Sequence, residues 1–144
     1  MDHFNYQEDL LFAEDVALTN IAKQYGTPSY VYSRATLERH AKAYTESFKS
    51  MDGLVCFSVK ALSNIAILKV LKKCGCGFDI VSGGELHRAL LAGADPQKII
   101  FSGVGKSKAE MAAGIKSNIL SFNVESESEL MVLEEVAKEL NAIA

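Results

Sequence analysis

Between residues 54 and 124 the chain repeats itself. Short apolar, β-branched runs occupy Leu54–Val59, Gly77–Val81, Ile99–Ser102 and Ile119–Val124, with starts about 22 residues apart. The stretches between them carry apolar residues at spacings of three and four. Ile65, Leu68 and Leu71 form one such face, and Leu86, Ala89 and Leu90 another. Leu130, Leu133, Val136, Ala137 and Leu140 form the last. Period-two runs alternating with period-3.6 runs at this interval specify βα units and a parallel sheet.

The junctions agree with that reading. Ser82–Glu85, Ser107–Glu110 and Ser126–Glu129 each read Ser-x-x-Glu after a strand-like run, the pattern of a capping box. Gly75 and Gly93 stand where helices should end, and Asp95-Pro96 marks the turn before the third run. Upstream, Leu18–Tyr25 reads as a helix stopped by Gly26. Ser29–Tyr32 alternates like a short strand, and Ser33 opens a longer helix with Leu37, Ala41, Tyr44 and Phe48 on one side. With 144 residues, two α/β architectures fit: an open doubly wound sheet, or the first half of a (β/α)8 barrel, which needs about 250 residues. Period alone leaves both open.

Composition excludes more than it selects. A net charge of −3 gives no basic excess for phosphate-backbone contacts, so no nucleic-acid partner is expected. The acidic start lacks the basic and apolar regions of a secretory signal. No apolar stretch reaches the roughly 18 residues that span a bilayer, so no membrane role is expected. Cys74 and Cys76 are too close for a zinc knuckle, and His3, His40 and His87 are scattered, so no metal is expected. The three cysteines read as reduced thiols of a cytoplasmic protein.

Three places carry chemistry. Gly105-Lys106-Ser107 ends like a phosphate-binding P-loop, but the first glycine of that pattern would fall at Ile100. The segment therefore reads as a βα turn with Ser107 as N-cap and Lys106 in solvent. Lys60 sits at the C-terminal end of an apolar run, where βα proteins build their sites. A lysine held in an apolar mouth can form a Schiff base; a lysine that merely snorkels out of the strand end cannot be told from it by sequence. Asp79, inside the next run, needs a partner such as Lys60 or a ligand. Glu85 is accounted for by capping, and Gly83-Gly84 would let a ligand approach the backbone.

Taken together, Phe57–Asn64, Gly77–Leu86 and Lys98–Lys106 resemble the diaminopimelate decarboxylases, within the alanine-racemase-like pyridoxal phosphate enzymes. Tyr25-Gly26-Thr27-Pro28 followed by Tyr30-Val31-Tyr32 is similar to the opening of that family. The resemblance favours the partial barrel: about the first four βα units over residues 33–144, preceded by an N-terminal segment, residues 1–32, that would pack on a β-sandwich domain. It implies that Lys60 binds pyridoxal 5'-phosphate as an imine and that Asp79 lies beside the coenzyme. It further implies decarboxylation of meso-2,6-diaminopimelate to L-lysine, with a small amino acid as substrate and a homodimer as the working state. Related decarboxylases of ornithine, arginine or carboxynorspermidine are the alternative, and a non-catalytic coenzyme-binding or purely structural βα domain is another. Two departures stand out. Leu62 occupies a position where the family usually has Asn, removing a hydrogen-bonding side chain. The family's His-x-Gly-Ser, Glu-Pro-Gly-Arg, Cys-Glu and Tyr segments have no counterpart, so these 144 residues by themselves are expected to be inactive.

Overall fold

The computed structural model describes residues 2–144. Four parallel strands, β4 (Cys56–Ser58), β5 (Gly77–Ile80), β6 (Ile99–Phe101) and β7 (Ser121–Phe122), lie side by side in chain order. Each is followed by a helix: α3 (Ile65–Lys73), α4 (Gly83–Leu91), α5 (Lys108–Lys116) and α6 (Glu127–Glu139). The strands are shorter than the apolar runs that announced them, because pairing stops where the chain turns into each loop. Helix α2 (Arg34–Ser47) precedes β4 and packs on α3.

The sheet has two unlike faces, and this decides where a site can lie. Phe78, Ile80, Ile99 and Phe101 point to the helices and are buried. Phe101 stacks on Phe122 with ring centroids 5.8 Å apart. The intervening residues, Ser58, Asp79, Ile100 and Ser121, form the other face through the register pairs Ser58↔Asp79, Asp79↔Ile100 and Ile100↔Ser121. All four are only half-buried. Parallel sheets are ordinarily covered on both faces. Here one face is covered by helices, and β4 and β7 are both edges. An apolar groove of about 430 Å³, lined by Leu37, Ala41, Tyr44, Phe57 and Cys76, runs along the β4 edge beneath α2.

Glycine is required where β5 begins. A Cβ on Gly77 would run into the Lys98 carbonyl oxygen and would lie 2.9 Å from Cys56 Sγ. A backbone oxygen cannot step aside, so Gly77→Ala is expected to destabilise the protein by about 2 kcal/mol in urea unfolding. A loss below about 0.5 kcal/mol would mean the strands can spread at no cost.

Helix ends follow the expected punctuation, with one change. Ser82, Ser107 and Ser126 each accept the amide of the Glu three residues on. Only Ser107–Glu110 closes a full capping box. Glu85 accepts instead from the Val81 amide and Glu129 from the Glu125 amide, each one residue upstream of the cap. The cause is the cap backbone: Ser82 and Ser126 are fully extended at φ −156° and −157°, which turns their own amides away from the glutamate, whereas Ser107 is at −78°. Gly75 and Gly93 adopt φ of 89° and 78° just past α3 and α4, as expected of helix terminators.

The N-terminal segment differs from expectation in two ways. Residues 4–17 form a three-stranded antiparallel sheet, β1 (Phe4–Gln7), β2 (Leu10–Ala13) and β3 (Val16–Ala17), with α1 (Leu18–Tyr25) packed against it. Ser29–Tyr32, by contrast, is not a strand. It has no partner to pair with, and Tyr30 is 91% exposed. Two carboxylates tie the segment to α2: Glu14 accepts the Ser33 hydroxyl at 2.7 Å and the Ala35 amide at 2.8 Å at its start, and Asp2 pairs with Arg39 at 3.1 Å. The bonds to Glu14, the Ala35 amide first, hold its carboxyl below the ordinary value of 4.5.

Candidate functional site

Lys60 stands in a single 3-10 turn, Val59–Ala61, that leaves the C-terminal end of β4. Val59 is wholly buried and anchors the turn, while the Lys60 side chain stands in solvent. The apolar mouth expected around it is therefore not formed by these residues. Leu62, extended and half-buried, packs onto the core cluster that includes Leu68 and Phe78. Its amide donates to the Val59 carbonyl at 3.1 Å, and Arg88 Nη1 donates to the Ser63 carbonyl at 3.3 Å. Apolar packing and backbone bonds thus order the turn without a polar side chain at position 62.

Asp79 lies on the half-covered face of β5, directly across from Ser58, two residues before Lys60. Its carboxylate accepts the Ser102 hydroxyl at 2.5 Å through Oδ1 and the Ser58 hydroxyl at 3.4 Å through Oδ2. The partner of Asp79 in this structure is thus a pair of hydroxyls rather than the Lys60 amine. Gly83 and Gly84 open α4 just beyond β5. A Cβ on Gly84 would meet nothing closer than Ser82 Oγ at 3.9 Å, so the backbone is open to approach there. Glu110 closes the neighbouring loop by accepting the Gly83 amide at 2.7 Å, and this bond, with those to Ser107, lowers its pKa.

Lys106 is a correction. Expected in solvent, it is buried. Its Nζ donates to the carbonyls of Gly103 at 2.5 Å and Asn123 at 2.9 Å and lies 3.0 Å from Glu129 Oε1. Two carbonyls from loops after successive strands and one carboxylate replace its hydration shell, which is what allows an ammonium to be buried. The rejection of a triphosphate loop stands on Ile100 as before, and this lysine is in any case fully engaged.

The residues that sequence reasoning passed over are Ser58, Ser102 and Asn123. Each completes a repeated pair, Phe57-Ser58, Phe78-Asp79, Phe101-Ser102 and Phe122-Asn123, at the end of an apolar run. In a strand, neighbours face opposite sides. A phenylalanine followed by a polar residue at the same place in four runs is therefore a signal that one face of the sheet is core and the other is a polar mouth.

Among the described residues no group of three His, Cys, Asp or Glu side chains could hold a metal, and no helix is long and apolar enough to cross a membrane. Cys56, Cys74 and Cys76 are free thiols whose pKa burial pushes up. The donor set at the mouth is an uncommitted primary amine beside a carboxylate and hydroxyls, all at the C-terminal ends of parallel strands. That set fits the aldehyde and ring of a pyridoxal coenzyme: an amine to condense with the carbonyl and hydrogen-bonding groups alongside.

A parallel sheet with this constellation at its C-terminal rim is the class of site used by barrel proteins that bind a coenzyme. Residues 34–144 match the family described as the pyridoxal binding domain of pyridoxal-dependent decarboxylases, and the chain belongs to that family. Its relatives are diaminopimelate decarboxylases. That of Vibrio cholerae is 57% identical over 145 residues, covering 100% of this chain and 35% of the relative, and that of Pseudomonas aeruginosa is 52% identical with the same coverage. The crystal structure of diaminopimelate decarboxylase from M. jannaschii in complex with L-lysine superposes with a TM-score of 0.89 at 36% identity, over 98% of this chain and 34% of that one. The chain thus spans about a third of the length of the relatives it matches, and its sheet is a partial (β/α)8 barrel of four βα units.

Proposed function

We propose that this chain is the coenzyme-holding part of an enzyme that decarboxylates meso-2,6-diaminopimelate to L-lysine and carbon dioxide with pyridoxal 5'-phosphate. The observation that carries the proposal is the exposed Lys60 amine at the rim of β4, next to a polar sheet face, in a chain that matches diaminopimelate decarboxylases over its whole length. The resemblance extends the proposal to a homodimer in the cytoplasm.

Each residue then has a physical task. Lys60, rooted by the buried Val59, would retain the coenzyme through its amine, which attacks an aldehyde only in its neutral form. Asp79 would set a negative charge on the coenzyme's side of the sheet, its two oxygens fixed by Ser102 and Ser58. The open backbone at Gly84 would admit a bulky ligand to the start of α4. When bound, pyridoxal phosphate supplies an electron sink for the pair left behind as the carboxylate departs.

The test is turnover by the protein at its full natural length, supplied with coenzyme and meso-diaminopimelate. Lysine and carbon dioxide are expected in equal amounts. Carbon dioxide released only from ornithine or arginine would redirect the assignment to a related decarboxylase. The 144 residues assayed by themselves are expected to turn over neither substrate, because β4 and β7 lack outer partners and the polar face has no cover.

A further inference from the structure

Asp79 is held from a distance. Ser102 Oγ donates to Asp79 Oδ1 at 2.5 Å, and Asn123 Nδ2 donates to Ser102 Oγ at 3.0 Å. The direction of this chain is fixed by chemistry. An ionised carboxylate only accepts, so the single hydroxyl proton of Ser102 must go to Asp79. The oxygen of Ser102 is then left as an acceptor, which only the amide nitrogen of Asn123 can satisfy; the opposite amide orientation would put oxygen against oxygen with no proton between them. The order Asn123 to Ser102 to Asp79 is therefore the one arrangement in which every group is matched.

The far end of the chain is anchored as well. The Asn123 amide donates to the Phe101 carbonyl at 2.9 Å, and its own carbonyl accepts from Lys106 Nζ at 2.9 Å. Lys106 is in turn locked by the Gly103 carbonyl and Glu129. An asparagine that is exposed as a residue thus has its backbone pinned from both sides. On the other flank, the Ser58 contact to Asp79 is long, 3.4 Å, against 2.5 Å from Ser102. Charge-assisted O–H···O bonds weaken as they lengthen, so Ser102 is the stronger of the two holds.

We propose that Ser102 is the positioning residue of Asp79, oriented in its turn by Asn123, and that this relay fixes the carboxylate for the coenzyme. The proposal rests on the reading that Asp79 borders pyridoxal phosphate. It concerns the rim of three successive strands, and it assigns to β6 and β7 a part in a site whose other members lie on β4 and β5.

The experiment uses the full-length protein loaded with pyridoxal phosphate. The readouts are the coenzyme dissociation constant, the induced circular dichroism of the bound chromophore, and its change with pH. Ser102→Ala is expected to weaken coenzyme binding roughly tenfold, the equivalent of one charge-assisted hydrogen bond. It is also expected to flatten the induced dichroism and displace its pH profile. Ser102→Thr, which keeps the hydroxyl, is expected to restore both, and Asn123→Ala to move them in the same direction as Ser102→Ala by a smaller factor. If Ser102→Ala proves unfolded by far-ultraviolet dichroism, Asn123→Ala alone decides the matter. Dichroism and binding unchanged in the folded variants, or equal loss in Ser102→Ala and Ser102→Thr, would overturn the relay. Failure of the underlying reading looks different: the wild-type protein itself would then take no borohydride-stable label at Lys60.

Discussion

Lys60→Ala in the full-length protein is expected to lose all borohydride-stable coenzyme label, and the wild type to carry one label per chain, on Lys60. Reduction converts a reversible carbon–nitrogen double bond into a permanent one, so peptide mapping reads the attachment site directly. The expectation is specific to this lysine. Lys60 lies at the rim of β4, exposed and joined to neither Asp79 oxygen, so its amine is available. Lys106, in the loop after β6, is buried and bonded to two carbonyls and a carboxylate, and Lys108, which opens α5, is paired with Glu135 at 2.7 Å, so neither substitutes. Decarboxylation in Lys60→Ala should fall by about 1,000-fold or more, the scale of losing a positioned group that also moves protons. Lys60→Arg should fare no better, because a guanidinium stays charged and cannot attack an aldehyde. Label appearing on Lys106, or on no residue, would remove the basis of the proposed function.

The parts of this structure that could be read in advance were those governed by local rules. The βα alternation follows from periodicity in Leu86, Ala89 and Leu90 or Leu133, Val136 and Ala137; all are buried except Leu90, which is half-buried against the core. Leu130, counted on the same face, is 54% exposed. The N-terminal sheet escaped because its strands are only four, four and two residues long and its turns use Glu8 and Glu14 at positive φ, where glycine or asparagine would have given a signal. Ser29–Tyr32 shows the converse, since alternation without a partner strand forms no ladder. The candidate site divides in the same way. Lys60 and Asp79 could be singled out because a charge in an apolar run is costly. Ser58, Ser102 and Asn123 are cheap at a strand end, so no one of them stands out alone; only the repeated Phe-polar pair marks them, and the assembled sheet puts them on one face.

Removing the Lys106 ammonium is expected to cause the largest loss of stability of any single polar change in this chain. Glu129 Oε1, buried, has the Lys106 cation 3.0 Å away and no hydrogen-bond partner among the described residues. Lys106→Met keeps the length of the side chain but leaves that oxygen without its counter-charge and the carbonyls of Gly103 and Asn123 without their donor. Breaking a buried pair from one side costs about 3 kcal/mol, and urea unfolding should show it. Glu129→Gln should cost less, because the amide can still accept from the Glu125 amide as the carboxylate does. The double variant Lys106→Met, Glu129→Leu should lose less than the sum of the single Lys106→Met and Glu129→Leu changes, since no charge is then stranded. Acid provides a second reading of the same pair. Burial pushes the Glu129 carboxyl up, but the Glu125 amide and Lys106 together outweigh it and hold the group below its ordinary value of 4.5. A carboxyl lowered on folding stabilises the protein fully above its unfolded value and loses that contribution as pH falls through the folded one. Stability should therefore decline below about pH 4.5, with Glu14, Glu38 and Glu110, all also lowered, sharing the decline. Glu129→Gln removes one of the four, so its stability should depend less steeply on pH in that window than the wild type's. Parallel acid profiles, together with a Lys106→Met loss under about 0.5 kcal/mol, would show that this ion pair contributes nothing net and that α6 is held without it, chiefly by the apolar contacts of Leu133 and Val136.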